Sequence, residues 1–252
     1  FFNPEKYPFT GFVQMSGIAV KIGTEWKYFD PCAPYMPFGF LPWNREDVRA
    51  MLIGDGGHVW RTIPMSDQTI SPAKRTAKLS LSADGTLDGE VKLEYGGHQA
   101  ISRRRDQFKD SPSKREENIK SEIQKKISTA EISALTIDNF EDSTKPLVYT
   151  MKIRVPNYAQ KAGKRIILQP GFFEFGSSPV FSSATRTYNI YFPYPWSEED
   201  TVDIRLPDGY ELDSADSPGE VKDTSKISSD RINIAIDKST NTIKYNRSFF
   251  FG

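Results

Sequence analysis

Apolar and polar residues alternate along residues 76–95, TAKLSLSADGTLDGEVKLEY, on both sides of a short polar interval. The interval contains Asp84-Gly85, a residue pair that accepts the positive φ angles of a tight hairpin turn. The pattern therefore predicts two antiparallel strands joined at this turn. The apolar positions that would face a core are Ala77, Leu79, Leu81, Val91, Leu93 and Tyr95.

The same period of two recurs over residues 146–156, PLVYTMKIRVP, where the residues from Leu147 to Val155 point alternately to two faces. Further strands are predicted after it, at the spacing typical of a β-sandwich. They lie in RIILQP (165–170), ATRTYNIYFP (184–193), EDTVDIRLPDGY (199–210), RINIAID (231–237) and TIKYNRSFFFG (242–252), the last two joined through DKSTN.

One long segment, residues 110–128, has the period of a helix instead. Ser111 supplies an N-terminal cap and Pro112 a first-turn proline, and isoleucines recur every four residues at 119, 123 and 127. Because this apolar stripe is narrow, we expect the helix to lie along the surface of a sheet. Residues 74–252 are thus predicted to form an antiparallel β-sandwich with one helix.

The N-terminal part has a different pattern. FVQMSGIAVKIG (12–23) and EWKYFD (25–30) predict two strands joined at Gly23-Thr24, followed by a proline-rich aromatic loop. NREDVRAMLI (44–53) has a possible cap at Asn44 and is predicted to be a short helix. We expect residues 1–70 to be an α+β unit, with a boundary in the polar stretch 66–75.

Composition excludes several classes of function. Lys plus Arg and Asp plus Glu are equal at 33 each, so no net field favours nucleic acid, and no apolar run approaches the ~20 residues of a membrane span. A single cysteine cannot form an internal disulfide. SADGTLDGE lacks the acidic spacing of a calcium loop, and neither a zinc cluster nor a glycine-rich phosphate loop is present, so we predict no metal and no cofactor. The chain starts at Phe1, where a natural start would carry Met, so we expect a mature or excised piece of a longer protein; no basic region followed by an apolar region, as in a signal peptide, is present.

The stretch GIAVKIGTEWKYFDPCAPYMPFGFLPWN, residues 17–44, resembles the C-terminal end of a transglutaminase-like domain of the papain-like superfamily. Such domains occur in large bacterial proteins between flanking β domains of unknown function. LSLSADGTLDGEVKLEYGGHQAISRR, VPNYAQKAGKRIILQPGFF and RLPDGYELDS are similar to the β domain that follows. The resemblance implies a periplasmic or secreted protein, whose upstream part would be this chain's first partner.

The resemblance also implies a catalytic triad of Cys, His and Asp in that chain order. The Asp falls on Asp30, the His falls at about Met15, and the Cys would lie upstream of Phe1. A thioether cannot exchange a proton, so Asp30 would have no imidazole to orient, and it could instead end a strand by capping backbone amides. Cys32 could act as a nucleophile only with His58 or His98 as base; otherwise it is a small thiol beside aromatic residues.

Aromatic residues are dense around this motif and could line a groove for a glycan or a peptide, or fill the corner between sheet and helix. The candidate binding residues are Trp26, Tyr28, Tyr35 and Trp43. Three arginines at 103–105 are expected on a solvated or ion-paired strand edge.

We therefore predict a non-catalytic binding or scaffolding portion of a transglutaminase-like protein. The alternatives are part of an active thiol peptidase or glutamine acyl transferase with its nucleophile upstream, and a β-sandwich that binds a protein, peptide or glycan.

Overall fold

A computed structural model describes residues 17–178, 181, 183, 185 and 187–252. Met15, at the expected histidine position, lies outside the described residues. The described part is mainly β, as predicted. Its strands are β1 (Ile18–Ile22), β2 (Glu25–Phe29), β3 (Arg49–Gly54), β4 (Gly57–Thr62), β5 (Pro72–Leu81), β6 (Leu87–Tyr95), β7 (Glu131–Asp138), β8 (Leu147–Val155), β9 (Gln160–Ala162), β10 (Arg165–Ile167), β11 (Trp196–Arg205), β12 (Gly219–Lys222), β13 (Ser228–Asp237) and β14 (Thr242–Phe251). Its helices are α1 (Gly97–Asp106) and α2 (Pro112–Lys126).

Eight of these strands form one sheet in the order β12-β13-β14-β11-β5-β6-β8-β7. It consists of two antiparallel four-stranded halves, joined where β11 runs parallel to β5. The sheet is therefore mixed, whereas the sequence pattern predicted antiparallel pairing throughout. The difference arises because the long connection from β8 returns the chain to the far edge of β5, where β11 enters in the same direction as its neighbour.

The predicted hairpin is confirmed as β5 and β6, with Ala77 opposite Val91. Gly85 has a φ of 88°, and a Cβ at this position would lie 2.2 Å from the carbonyl oxygen of Ala159. The turn therefore requires glycine for its backbone angle and for its close approach to the neighbouring chain. The Thr86 amide donates to Asp84 Oδ1 at 2.9 Å and fixes the turn.

The long helix is also confirmed. Ser111 accepts a hydrogen bond from the Lys114 amide, and Pro112 occupies the first turn. Ile119 is buried, and Ile123 and Ile127 belong to the same hydrophobic core as the inward residues of β6 and β8. The helix thus covers one face of the sheet, as its narrow stripe predicts.

That covered face contains the core, and the opposite face is polar. Along β5 the odd positions Ala77, Leu79 and Leu81 are buried, while Lys78 and Ser80 between them are exposed. The same alternation continues on β6 and β8. Burial of one face fixes the register, since a slip by one residue would invert every side chain.

The predicted helix over 44–53 is wrong. A 3₁₀ turn at Trp43–Arg45 is followed by β3, which pairs with β4 in a separate two-stranded sheet. Asp47 has a φ of 51°, which interrupts any helix at this point. The glycine-rich GDGG sequence then forms the hairpin turn of β3 and β4, so pairing across it prevails over weak local helix propensity.

The predictions of a single helix and of a strand edge at residues 103–105 are also wrong, because this segment belongs to α1. Gly97 enters the helix at a φ of 47°, and a Cβ there would lie 2.0 Å from the carbonyl oxygen of Ile70. Arg104 is 1% exposed and extends inward from α1. In the helix, the Arg104 guanidinium donates to the backbone carbonyls of Asn139, Asp142 and Lys145.

Two further differences concern strands. The sequence pattern gave no indication of β7, which pairs with β8 through an irregular register between Ser133 and Thr136. The strand predicted over 184–193 is not formed at residues 185 and 187–193, the part of it that is described. Among the described residues, neither helix is long and apolar enough to cross a membrane.

Candidate binding site

The four aromatic residues predicted to bind a ligand lie on or next to β2 and the proline-rich loop, and three of them contact different partners. The Arg61 guanidinium stands over the Trp26 ring at 5.5 Å, and Trp43 lies 6.5 Å from the ring of Tyr191. Tyr35 packs its edge against Phe140 and donates a hydrogen bond to Glu141 Oε2 at 3.1 Å. Tyr28 is half-buried on β2. The contacts given for the described residues do not bring these four side chains together.

Asp30, the predicted triad aspartate, is 8% exposed and has local partners for both carboxylate oxygens. Oδ1 accepts a hydrogen bond from the Cys32 amide at 3.1 Å, and Oδ2 pairs with the guanidinium of Arg45. The carboxylate therefore caps the Asp-Pro turn and fastens the loop to the 3₁₀ turn. Nothing in the sequence pattern pointed to Arg45 as its partner.

The two candidate bases lie in different surroundings. His58 is exposed on β4, opposite Ile53. His98 is 2% exposed and stacks near Tyr194 with ring centroids 4.9 Å apart. Cys32 is exposed, and within the described ranges no hydrogen bond joins its sulfur to either imidazole.

The His98 ring contacts a buried carboxylate. Its Nε2 lies 3.1 Å from Glu46 Oε1, and the amide and hydroxyl of Ser66 donate to the same carboxylate at 2.9 and 2.6 Å. Burial alone would raise the pKa of Glu46, but the hydrogen bonds from His98 and Ser66 outweigh it and hold that pKa below its ordinary value. This cluster ties the segment before β3 to the first turn of α1.

A cavity of about 100 Å³ lies between α2, the sheet and the segment 172–175. Its wall is mostly apolar, contributed by two strands of the sheet, one face of the helix and three phenylalanines of the covering segment. The apolar lining residues are Val91, Leu93, Met151, Ile153, Ile119, Ile123, Ile127, Phe172, Phe173 and Phe175. An apolar cavity with a few polar groups is the usual form of a small-molecule site.

Two tyrosines, Tyr95 and Tyr149, belong to the part of the wall that the sheet contributes, and Tyr149 carries a buried hydroxyl. The residue is 2% exposed, and its hydroxyl has no hydrogen-bond partner. Its ring meets Tyr95 edge-on at 5.7 Å, and burial raises the pKa of the phenol. A buried hydroxyl without a partner costs about 1–3 kcal/mol, so a further hydrogen-bond partner at this position would be stabilising.

Charged groups close the other side of the cavity. Arg75 on β5 forms a two-point pair with Asp200 on β11, Nε to Oδ1 at 2.6 Å and Nη2 to Oδ2 at 2.8 Å. Arg75 Nη2 also donates to Glu174 at 2.9 Å and to Glu198 at 3.0 Å. Because Glu174 lies within the covering segment, this pairing fastens that segment over the cavity.

The pKa values in this cluster reflect both burial and pairing. Burial raises the pKa of Asp200, while the charge of Arg75 opposes that effect. Burial alone would raise the pKa of Glu198, but Arg75 and Arg247 together lower it. Arg247 Nη1 donates to Glu198 at 2.7 Å, so both guanidiniums share the same carboxylates.

The alternation of residues 146–156 places Tyr149 on the same face as Leu147 and Val155, and the isoleucine stripe of α2 predicts contact with a sheet, but neither pattern indicates a cavity. The segment 172–175, which completes the cavity, is a short 3₁₀ turn without a periodic signal. Its position depends on Glu174 meeting an arginine 99 residues earlier in the chain. One feature of the sequence does point to the site. Arg75 occupies a core-facing position in the alternation of β5, where the neighbouring positions are apolar.

Comparison with known proteins finds one family. Residues 164–251 match DUF3858, a domain of unknown function for which a structure has been solved. A search of curated proteins and a search of solved structures found no match. The matched range contains β10 to β14, which supply one half of the large sheet together with Glu174, Glu198 and Asp200. Tyr149 and α2 precede it, so the cavity is built from the matched range and the half-sheet before it.

Proposed function

We propose that this chain is a non-catalytic binding portion of a transglutaminase-like protein, located at the C-terminal end of the transglutaminase-like domain and in the β domain that follows. The observation that carries the proposal is the occupation of Asp30. An aspartate that orients a catalytic imidazole hydrogen-bonds to it, whereas the contacts of Asp30 among the described residues go to the Arg45 guanidinium and the Cys32 amide, which is a structural role.

The surroundings of the other candidate groups support the same conclusion. A nucleophilic cysteine needs a base within hydrogen-bond reach, and of the two histidines His98 is held by Glu46 inside the protein. Cys32 is on the surface. The match of residues 164–251 to DUF3858 is compatible with the β domain of unknown function that the resemblance places after the transglutaminase-like domain. The periplasmic or secreted location remains part of the proposal and rests on the resemblance.

Exposed apolar residues on the two N-terminal hairpins support a role in contacting the rest of a longer protein. On β1, Ile18 is 54% exposed and Ile22 is 52% exposed, and Ile53 at the end of β3 is 76% exposed. Ile18 and Ile22 lie on the same face of one strand, and grouped exposed apolar residues are a feature of surfaces that meet a partner. The partner proposed here is the upstream part of the transglutaminase-like domain.

The test is a turnover assay on the purified chain, with a glutamine-bearing peptide and a fluorescent amine for acyl transfer and an internally quenched peptide for cleavage. We expect no turnover by the wild-type chain or by Cys32→Ala. Turnover by the wild-type chain that disappears in Cys32→Ala, with the variant still folded by circular dichroism, would show that the chain is an enzyme.

A further inference from the structure

We propose that the cavity beneath α2 binds a small, uncharged, apolar molecule that carries a carbonyl oxygen, and that the Tyr149 hydroxyl donates a hydrogen bond to this oxygen. The inference deepens the proposed binding role, on which it rests, by assigning a site and a class of ligand. It uses residues far from Asp30 and Cys32, so its test is separate from the assay of turnover.

The lining of the cavity favours an apolar ligand. Strand residues such as Leu93 and Met151 face Ile123 of α2 and Phe173 of the covering segment across the space. Water in such a space would find few hydrogen-bond partners, whereas an apolar group gains contacts with the wall. The cavity therefore favours a ring or a short alkyl group.

The hydroxyl of Tyr149 specifies one polar atom on that ligand. It is buried and has no partner, although buried polar groups in folded proteins are nearly always paired. The Nε of Arg103 on α1 is likewise buried without a partner, and its guanidinium stacks over the Tyr95 ring at 3.7 Å. The Arg103 Nε–H can only donate, and the Tyr149 hydroxyl can donate as well as accept, so an acceptor is the one kind of ligand atom that could pair with either group.

The charges around the cavity distinguish a neutral acceptor from an anion. The charged lining residues are Glu122, Lys126 and Arg75, and Arg75 is already paired with Glu174, Glu198 and Asp200. A bound carboxylate would have to compete with these carboxylates for Arg75, whereas a carbonyl oxygen needs no counter-charge. A ketone, ester or amide therefore fits better than a fatty acid.

The size of the cavity limits the buried part of the ligand. At about 100 Å³ it is smaller than the engineered cavity of ~150 Å³ that binds benzene, but it is partly open to solvent. A ring or a branched chain fits inside, and the remainder of a longer molecule can extend outward past Ile123 and Lys126 of α2, which line the cavity.

The five methionines of the chain provide a site-specific readout, because only Met151 among the described four lines the cavity. The chain is labelled with ¹³C at the methionine methyl groups, and the Met151 signal is assigned with Met151→Leu. Three probes are titrated: acetophenone, ethylbenzene, which has the same shape without the carbonyl, and benzoate, which has a charge.

We expect acetophenone to shift the Met151 signal selectively, and to bind more tightly than ethylbenzene or benzoate. Tyr149→Phe keeps the shape of the wall but removes the donor, so it should weaken acetophenone about 2- to 10-fold and leave ethylbenzene unchanged. Ile123→Trp, which fills the cavity from α2, should abolish the shift. Thermal unfolding of each variant verifies that it is folded.

The proposal would be overturned if no probe shifted the Met151 signal, because water would then be the sole occupant. It would equally be overturned if acetophenone bound Tyr149→Phe as tightly as the wild-type chain, or if benzoate bound more tightly than acetophenone. A failure of this kind would leave the turnover assay and the non-catalytic assignment unaffected.

Discussion

Arg75 and Asp200 lie directly opposite each other on β5 and β11, and their two hydrogen bonds of 2.6 and 2.8 Å cross the parallel strand pair that joins the two halves of the sheet. The Asp200 side chain is 0% exposed and that of Arg75 is 14% exposed. The two half-sheets are thus joined by a buried ion pair as well as by backbone hydrogen bonds, and the same arginine holds the segment that covers the cavity.

Asp200→Ala should lower the free energy of unfolding by about 3–5 kcal/mol, because it leaves Arg75 buried without its principal partner. Urea unfolding followed by circular dichroism measures the change. The matched control is Lys74→Ala, which removes an exposed pair with Glu199 at the adjacent position of the same two strands. Its effect should stay within about 1 kcal/mol, and equal losses for the two variants would contradict a special role for the buried pair.

Arg104 should be nearly irreplaceable in α1. Its Nη2 lies 2.8 Å from the carbonyl oxygens of Asn139 and Lys145 and 3.0 Å from that of Asp142, so one buried guanidinium satisfies the loop between β7 and β8. Burial lowers the pKa of this guanidinium. Arg104→Met leaves those carbonyls without a donor and should cost about 3 kcal/mol or more.

The control for that variant is the next residue, Arg105→Met, whose side chain is 50% exposed and, among the described residues, forms a long pair with Asp106 at 3.9 Å. We expect a change below about 0.5 kcal/mol in its free energy of unfolding. A similar loss for both arginines would show that the carbonyl contacts of Arg104 contribute little to stability.

Stability should depend on pH through Glu46. Its pKa is lower in the folded chain than in the unfolded one, so it contributes stability that is present above the unfolded value of about 4.3 and is lost as the pH falls through the folded value. Glu46→Gln removes this contribution. The variant should therefore lose less stability than the wild-type chain when the pH is lowered from 6 to 3.

Urea unfolding at both pH values tests this prediction. Asp200 acts in the opposite direction, because its raised pKa favours the folded state at low pH, so only the difference between variant and wild type is diagnostic. Glu90→Gln, on the exposed polar face of β6, is the control and should match the wild-type profile. A Glu46→Gln profile parallel to that of the wild type would contradict the assignment.

Short sequence patterns correctly predicted the hairpin of β5 and β6 and the helix α2, because the interactions that define these elements lie within a few residues of one another. The alternation through Ala77 and Val91 and the cap at Ser111 each gave the correct element at nearly the correct residues. Such patterns combine burial and turn chemistry within a few positions, and tertiary contacts agree with them here.

The remaining features depend on contacts between distant parts of the chain. The three arginines of α1 look solvent-exposed in sequence, and only the carbonyls 35–41 residues later bury Arg104. In the same way, the partner of Asp30 is an arginine 15 residues away, beyond the proline-rich loop. The cavity forms because the segment 172–175 contacts Arg75. No periodic pattern in the sequence predicts this contact. The residues that matter most for the candidate site were therefore those that the sequence could not bring together.

The central claim is that the Asp30 carboxylate serves the fold and not a catalytic imidazole. Its most direct test is the free energy of unfolding of Asp30→Asn, measured in urea beside the wild-type chain. The account predicts a loss of about 1–3 kcal/mol, because the variant weakens the pair with Arg45 and the cap on the Cys32 amide. Unchanged stability would show that these contacts are dispensable, and would contradict the account.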